Sequence, residues 1–90
     1  MKTIVLISHA VKDYDAWRAA YETHRPSHVA AGVEEVFVAR DAATPNLVHV
    51  GFFAPSREAA KAFVGDPELK TTMQAAGVLG PPDVRMGDVG

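Results

Sequence analysis

From Thr3 to Ser8 the chain reads TIVLIS, apolar at nearly every position and rich in β-branched residues. That pattern belongs to a strand covered on both faces. DYDAWRAAYETHRPSHVAAG follows, in which Tyr14, Trp17, Tyr21, His24 and His28 recur at spacings of three and four, one stripe of a helix. Asp13 is placed to cap its start and Gly32 to end it in a left-handed conformation. Pro26 removes one backbone hydrogen bond, so a kink or restart is expected around Arg25. EEVFVAR and LVHVGFF read as two further strands, and the short polar loop DAATPN between them predicts an antiparallel hairpin.

PSREAAKAFVG begins a second helix at Ser56, and DPELKTTMQAAGV restarts it. This restart has strong punctuation: Asp66 as N-cap, Pro67 at the first helical position, Glu68 in the first turn and Gly77 just past the end. After GPP, DVRMGDV reads as a last strand, at an edge because Pro82 precedes it. The order β-α-β-β-α-β predicts an α+β, ferredoxin-like fold, a four-stranded antiparallel sheet with its helices on one face. Residues 1–90 form a single domain.

Strands one and three are apolar on both parities: Ile4 and Leu6 against Val5 and Ile7, and Val48, Val50 and Phe52 against Leu47 and Phe53. Helices cover only one face of such a sheet. A chain of this length buries only about 60–65% of its unfolded surface, yet 48% of its residues are hydrophobic. The uncovered face therefore needs a partner, and the simplest is the same face of a second copy, giving a homodimer. Two sheets packed in this way enclose a barrel-like space that can carry a cavity for a small organic ligand.

The net charge of −2, with both signs dispersed, leaves no footprint for nucleic acid or an anionic membrane. No cysteine is present, which excludes a disulfide framework and a thiolate nucleophile and fits a cytoplasmic protein. The opening apolar run is about five residues long, shorter than the ~7–15 of a signal-peptide core. No stretch approaches the ~20 apolar residues of a membrane span.

HAVKDYDAW, leading from the first strand into an aromatic helix, and DPELKTTMQAAGV as the late helix resemble the dimeric α/β-barrel superfamily. That superfamily includes antibiotic-biosynthesis monooxygenase-like proteins and small cyclase-like and isomerase-like proteins. The resemblance covers nearly the whole chain and implies a homodimer with a ligand pocket, in the barrel or between sheet and helices. It does not imply one reaction. An Asn, Trp and His trio usually marks the haem-degrading branch; here Trp17 is on the first helix and no Asn accompanies the first strand.

Four histidines carry the candidate chemistry. His9 at the end of strand one and His49 in the middle of strand three are candidate acid–base residues, since histidine titrates near ~6.5. These strands are central neighbours in the expected order, so the two can meet if their registers agree. The plainer account of each is a hydrogen-bonded structural histidine. His24 and His28, four apart, suit a metal by spacing, but no third ligand or H-E-x-x-H pattern completes a site, and no metal is expected.

Tyr14, Trp17, Tyr21 and Phe52 read either as core or as the wall of a pocket for an aromatic or polyketide-like substrate. Arg40 and Arg85 are placed to hold an anionic group, unless Asp41 and Asp83 simply neutralise them. No phosphate loop, nucleophile elbow or paired-carboxylate motif appears, and no cofactor is expected. Two functions remain open: a cofactor-independent enzyme moving a proton next to a carbonyl, or a non-catalytic binding or structural dimer.

Overall fold

The computed structural model describes residues 2–30 and 32–89, without the side chains of Ser27 and His28. The elements are β1 (Lys2–Val11), α1 (Tyr14–Ala30), β2 (Glu34–Arg40), β3 (Leu47–Ala54), α2 (Arg57–Val64), α3 (Pro67–Ala75) and β4 (Val78–Val89). They form one four-stranded sheet in the order β2-β3-β1-β4, antiparallel throughout. This is the expected ferredoxin-like arrangement, with the second helical segment divided in two at Gly65 and Asp66.

Local chemistry explains the boundaries. The Asp13 carboxylate accepts the N–H of Ala16 at 3.1 Å, and Ser56 Oγ accepts the N–H of Ala59 at 3.1 Å. Asp66 accepts the N–H of Glu68 at 3.0 Å. Each satisfies a donor that the first helical turn leaves free. α1 continues through Pro26 to Ala30 as one helix, so the proline costs it a hydrogen bond without ending it. Gly77, at φ 91°, turns the chain out of α3, and its carbonyl accepts the N–H of Lys12 at 2.8 Å. Only glycine adopts that backbone without strain.

The period-2 pattern of β1 is unambiguous in space. Thr3, Val5, Ile7, His9 and Val11 are buried beneath the helices, while Ile4, Leu6, Ser8 and Ala10 face the other way. β3 matches it, with Val48, Val50, Phe52 and Ala54 buried and Leu47, His49 and Phe53 on the open face. Trp17, Tyr21, Ala60 and Phe63 bring the helices onto this layer and complete the core. A register shift between Glu35 and Phe37 in β2 makes Val36 an extra residue. Beyond this bulge, Phe37 pairs with Gly51 on the open face. Its ring lies across Gly51, where a Cβ would stand 2.4 Å from Phe37 Cε2.

Candidate functional site

Because β1 alternates, burying Val5 and Ile7 carries His9 beneath the helices as well. Its side chain is 5% exposed, and neither ring nitrogen has a hydrogen-bonding partner among the described residues. An unpaired buried polar atom costs about 1–3 kcal/mol, so this imidazole is held at an energetic cost. Burial first, and the nearby His49 second, push its pKa down to about 4. At neutral pH His9 is an uncharged imidazole, one nitrogen a donor and the other an acceptor.

His9 faces a cavity of about 50 Å³. Trp17 and Tyr21 of α1 form one wall and Phe52 and Phe63 another, with Leu69 and Met73 of α3 among the residues that close it. The rings are ordered against one another. Trp17 meets His9 edge-on with centroids 5.4 Å apart and stacks on Tyr21 at 5.1 Å. Phe52 and Phe63 form an edge-to-face pair at 5.2 Å. Such offset and edge-to-face contacts suit the ring quadrupoles, and they leave a smooth apolar wall with the imidazole exposed to the interior.

The rim beside Tyr21 is charged. The Tyr21 hydroxyl donates to Glu35 Oε2 at 2.8 Å, and Arg25 donates to the same oxygen at 2.8 Å. Burial first, then the bond to Glu35, raises the phenol pKa well above its ordinary value, so Tyr21 stays protonated. The guanidinium groups of Arg18 and Arg25 lie 5.7 Å and 5.6 Å from its ring centroid, within cation–π range.

The expected site residues separate into two groups. His9, Trp17, Tyr21 and Phe52 line the cavity, and His24 lines it with them. Tyr14 packs against Trp17 at 6.1 Å but does not line it. Arg40 sits 4.6 Å from the Tyr14 centroid and donates to the Pro45 carbonyl at 2.6 Å, outside the cavity. Arg85 lies on the open face near Asp83, at 3.4 Å.

His49 is on that open face too. Its partner across β1 is Ser8, while His9 pairs with Val48, so the two histidines lie on opposite sides of the sheet and share no cavity. His28 falls outside the described side chains. Among the described residues no group of three His, Cys, Asp or Glu side chains could hold a metal, and no helix is long and apolar enough to cross a membrane.

Sequence reasoning missed the contribution of Leu69 and Thr72 from α3, and it missed the partners of His49. Ser8 Oγ lies 2.8 Å from His49 Nδ1, and Asp41 Oδ1 lies 2.7 Å from His49 Nε2. The DAAT turn carried a usable signal, since a leading aspartate tends to fold back on its own backbone. Asp41 does so, accepting the N–H groups of Ala43 and Thr44 at 3.1 Å and 2.8 Å.

An antiparallel four-stranded sheet with its helices on one face makes this a ferredoxin-like fold. Solved structures show the same fold over almost the whole chain. An antibiotic biosynthesis monooxygenase-like protein of Bordetella bronchiseptica aligns with a TM-score of 0.80 at 15% identity, over 98% of this chain and 96% of its own. One from Chloroflexus aurantiacus aligns with a TM-score of 0.71 at 18% identity, over 100% and 95%. A monooxygenase of Streptomyces coelicolor in complex with the ligand nanaomycin D aligns with a TM-score of 0.62 at 17% identity, over 94% and 84%. No protein-family sequence model and no curated protein sequence matches the chain.

Proposed function

We propose that this protein is a small-molecule-binding homodimer whose helix-side cavity takes a largely apolar, flat organic compound and hydrogen-bonds one polar group of it through His9. The observation that carries the reading is the His9 imidazole, buried and unpartnered, at the wall of an otherwise apolar and aromatic cavity. A neutral imidazole can donate to a carbonyl oxygen with one nitrogen and accept from a hydroxyl or an acidic C–H with the other. The ligand-bound Streptomyces protein shares the fold and carries its ligand as a monooxygenase. Within this proposal the chemistry is cofactor-independent removal of a proton next to a carbonyl of an aromatic or polyketide-like substrate, with the buried imidazole as the base.

Burial holds the resting pKa of His9 at about 4, so it is a weak base by itself. An enolate forming against it would favour the imidazolium and raise its basicity as the proton moves. His49 takes no part in this cavity, and the proton transfer rests on His9.

The homodimer part of the proposal is supported by the other face. Leu6 and Phe37 are exposed at 39% and 38%, and Val89 at 44%, beside half-buried Ile4 and Phe53. An apolar patch of this extent on one sheet face marks an interaction surface, and a two-fold partner covers it with the same residues.

The test is a thermal-shift screen with quinones, aromatic acids and enolisable lactones, repeated on His9→Leu. The expected result is a ligand that raises the wild-type midpoint, does not raise that of the variant, and turns over only on the wild type. A ligand bound equally by both proteins sinks the role of His9. A His9-dependent ligand that is never converted leaves a binding protein and removes the proton transfer.

A further inference from the structure

The open face of the sheet holds a second constellation, unrelated to the helix-side cavity. The Asp41 carboxylate can only accept, so the bond at 2.7 Å places a proton on His49 Nε2. Nδ1 then keeps its lone pair, and the Ser8 hydroxyl, at 2.8 Å, donates to it. Asp41 is in turn fixed by the backbone N–H groups of Ala43 and Thr44. The bonds from His49, Thr44 and Ala43, in that order, hold its carboxyl below the usual range. A hydroxyl, a base within hydrogen-bond reach and a third group orienting the base form the arrangement that activates a serine for attack. Which ring nitrogen meets which partner is reversed from the usual serine-hydrolase order, but either nitrogen of imidazole can carry the proton.

Two neighbours complete the chemistry. Arg85 pairs across the sheet with Leu6, while Ser8 pairs with Asp83. Arg85 is therefore the diagonal neighbour of Ser8, roughly 7–8 Å away between Cα atoms and within reach of a long side chain. Its side chain is 77% exposed and only loosely associated with Asp83, at 3.4 Å, which lets the guanidinium swing to an oxyanion. Leu47, paired with Ala10 beyond Ser8 and His49, lies on the same face, an apolar neighbour for a small acyl group. The face is thus divided, with Ile4, Leu6, Phe37 and Phe53 toward one end and Ser8, His49 and Asp41 toward the β2–β3 turn. A second copy seated on the apolar end leaves the polar end at the mouth of the interface.

The geometry points to a serine acyl-transfer site on the open face, with Ser8 as nucleophile, His49 as general base, Asp41 as its positioning residue and Arg85 as the cation for the developing oxyanion, acting on carboxylic esters with a small apolar acyl group. Ser8 Oγ attacks the ester carbonyl and bonds to its carbon while His49 Nδ1 takes the hydroxyl proton. The carbon–oxygen bond to the leaving alkoxide breaks, and His49 returns the proton to that oxygen, releasing the alcohol. Water then attacks the acyl-serine, giving its proton through His49 back to Ser8 Oγ, and the carboxylic acid departs. Each cycle consumes one ester and one water, with no oxidant or cofactor.

The experiment uses the full chain with a fluorophosphonate label and p-nitrophenyl butyrate, read by intact mass, peptide mapping and nitrophenol release. The expected result is one adduct per chain, at Ser8. His49→Gln and Asp41→Asn, checked by circular dichroism for an unchanged fold, slow the labelling of Ser8 by about 10²-fold or more. Arg85→Gln slows ester turnover without moving the pH profile. An unlabelled Ser8 in the folded wild type overturns the proposal. So does labelling at the wild-type rate in folded His49→Gln, since a hydroxyl that needs no base is not part of this relay.

Discussion

His9 offers a quantitative test of how the fold treats its buried imidazole, through the dependence of stability on pH. In an unfolded chain a histidine titrates near ~6.5, whereas in the native protein burial lowers the value to about 4. Between these two values the unfolded state binds a proton that the native state refuses, so stability falls as pH falls. A gap of about 2.5 units at ~1.36 kcal/mol per unit is worth roughly 3 kcal/mol, of which about 2 kcal/mol is lost by pH 5. Above pH 7 neither state carries the proton and the contribution vanishes.

The perturbation is His9→Leu, which keeps an apolar side chain of similar length and cannot titrate. The assay is urea unfolding at a series of pH values from 7.5 to 4, at one protein concentration so that dimerisation does not shift the midpoint. Subtracting the variant's curve from the wild type's cancels the carboxylates common to both. The difference should decline by about 3 kcal/mol from pH 7 to pH 4. A difference that stays level within ~0.5 kcal/mol, or that rises as pH falls, refutes the buried neutral imidazole.

Further outcomes follow from other contacts. Trp17→Ala removes the ring that joins His9, Tyr14 and Tyr21 at a site 3% exposed, and should cost about 3–5 kcal/mol in the same unfolding assay; a loss under ~1 kcal/mol would show that the stack is not core. Tyr21→Phe deletes the hydroxyl bonded to Glu35, with an expected loss of about 1–2 kcal/mol, and no loss would mean that Arg25 alone satisfies the carboxylate. Asp66→Ala removes the cap of α3 at a cost of about 1 kcal/mol, and because α3 helps close the cavity it should weaken ligand binding more than Ser56→Ala does. Leu6→Arg places a charge in the apolar patch of the open face, and light scattering should give a monomer that keeps its far-ultraviolet spectrum; a dimer unchanged in mass would mean the second copy sits elsewhere.

Much of this architecture could be read along the chain. Helix starts at Asp13, Ser56 and Asp66, and the turn at Gly77, depend on residues within a few positions of each other, so their chemistry is visible in one dimension. The alternation in β1 and β3 was equally plain: Val5, Ile7 and His9 must share a face because the side-chain period of a strand is two. The apolarity of both parities was legible as well, and the structure leaves Ile4, Leu6 and Phe53 on the face without helices.

That same apolarity concealed which parity meets the helices. With Ile4 and Leu6 as good a core as Val5 and Ile7, nothing in one dimension says whether His9 or His49 enters the cavity. Register decided it: Ser8 faces His49 and His9 faces Val48, which separates two histidines that the strand order alone placed side by side. The bulge at Val36 then set β2 beyond it so that Phe37 crosses Gly51. Pairing energies between strands depend on residues some forty positions apart and on where one extra residue is inserted. Composition and periodicity carry neither, so the ladder Ser8–His49–Asp41 and the buried, unpartnered imidazole of His9 belong to the tertiary structure alone.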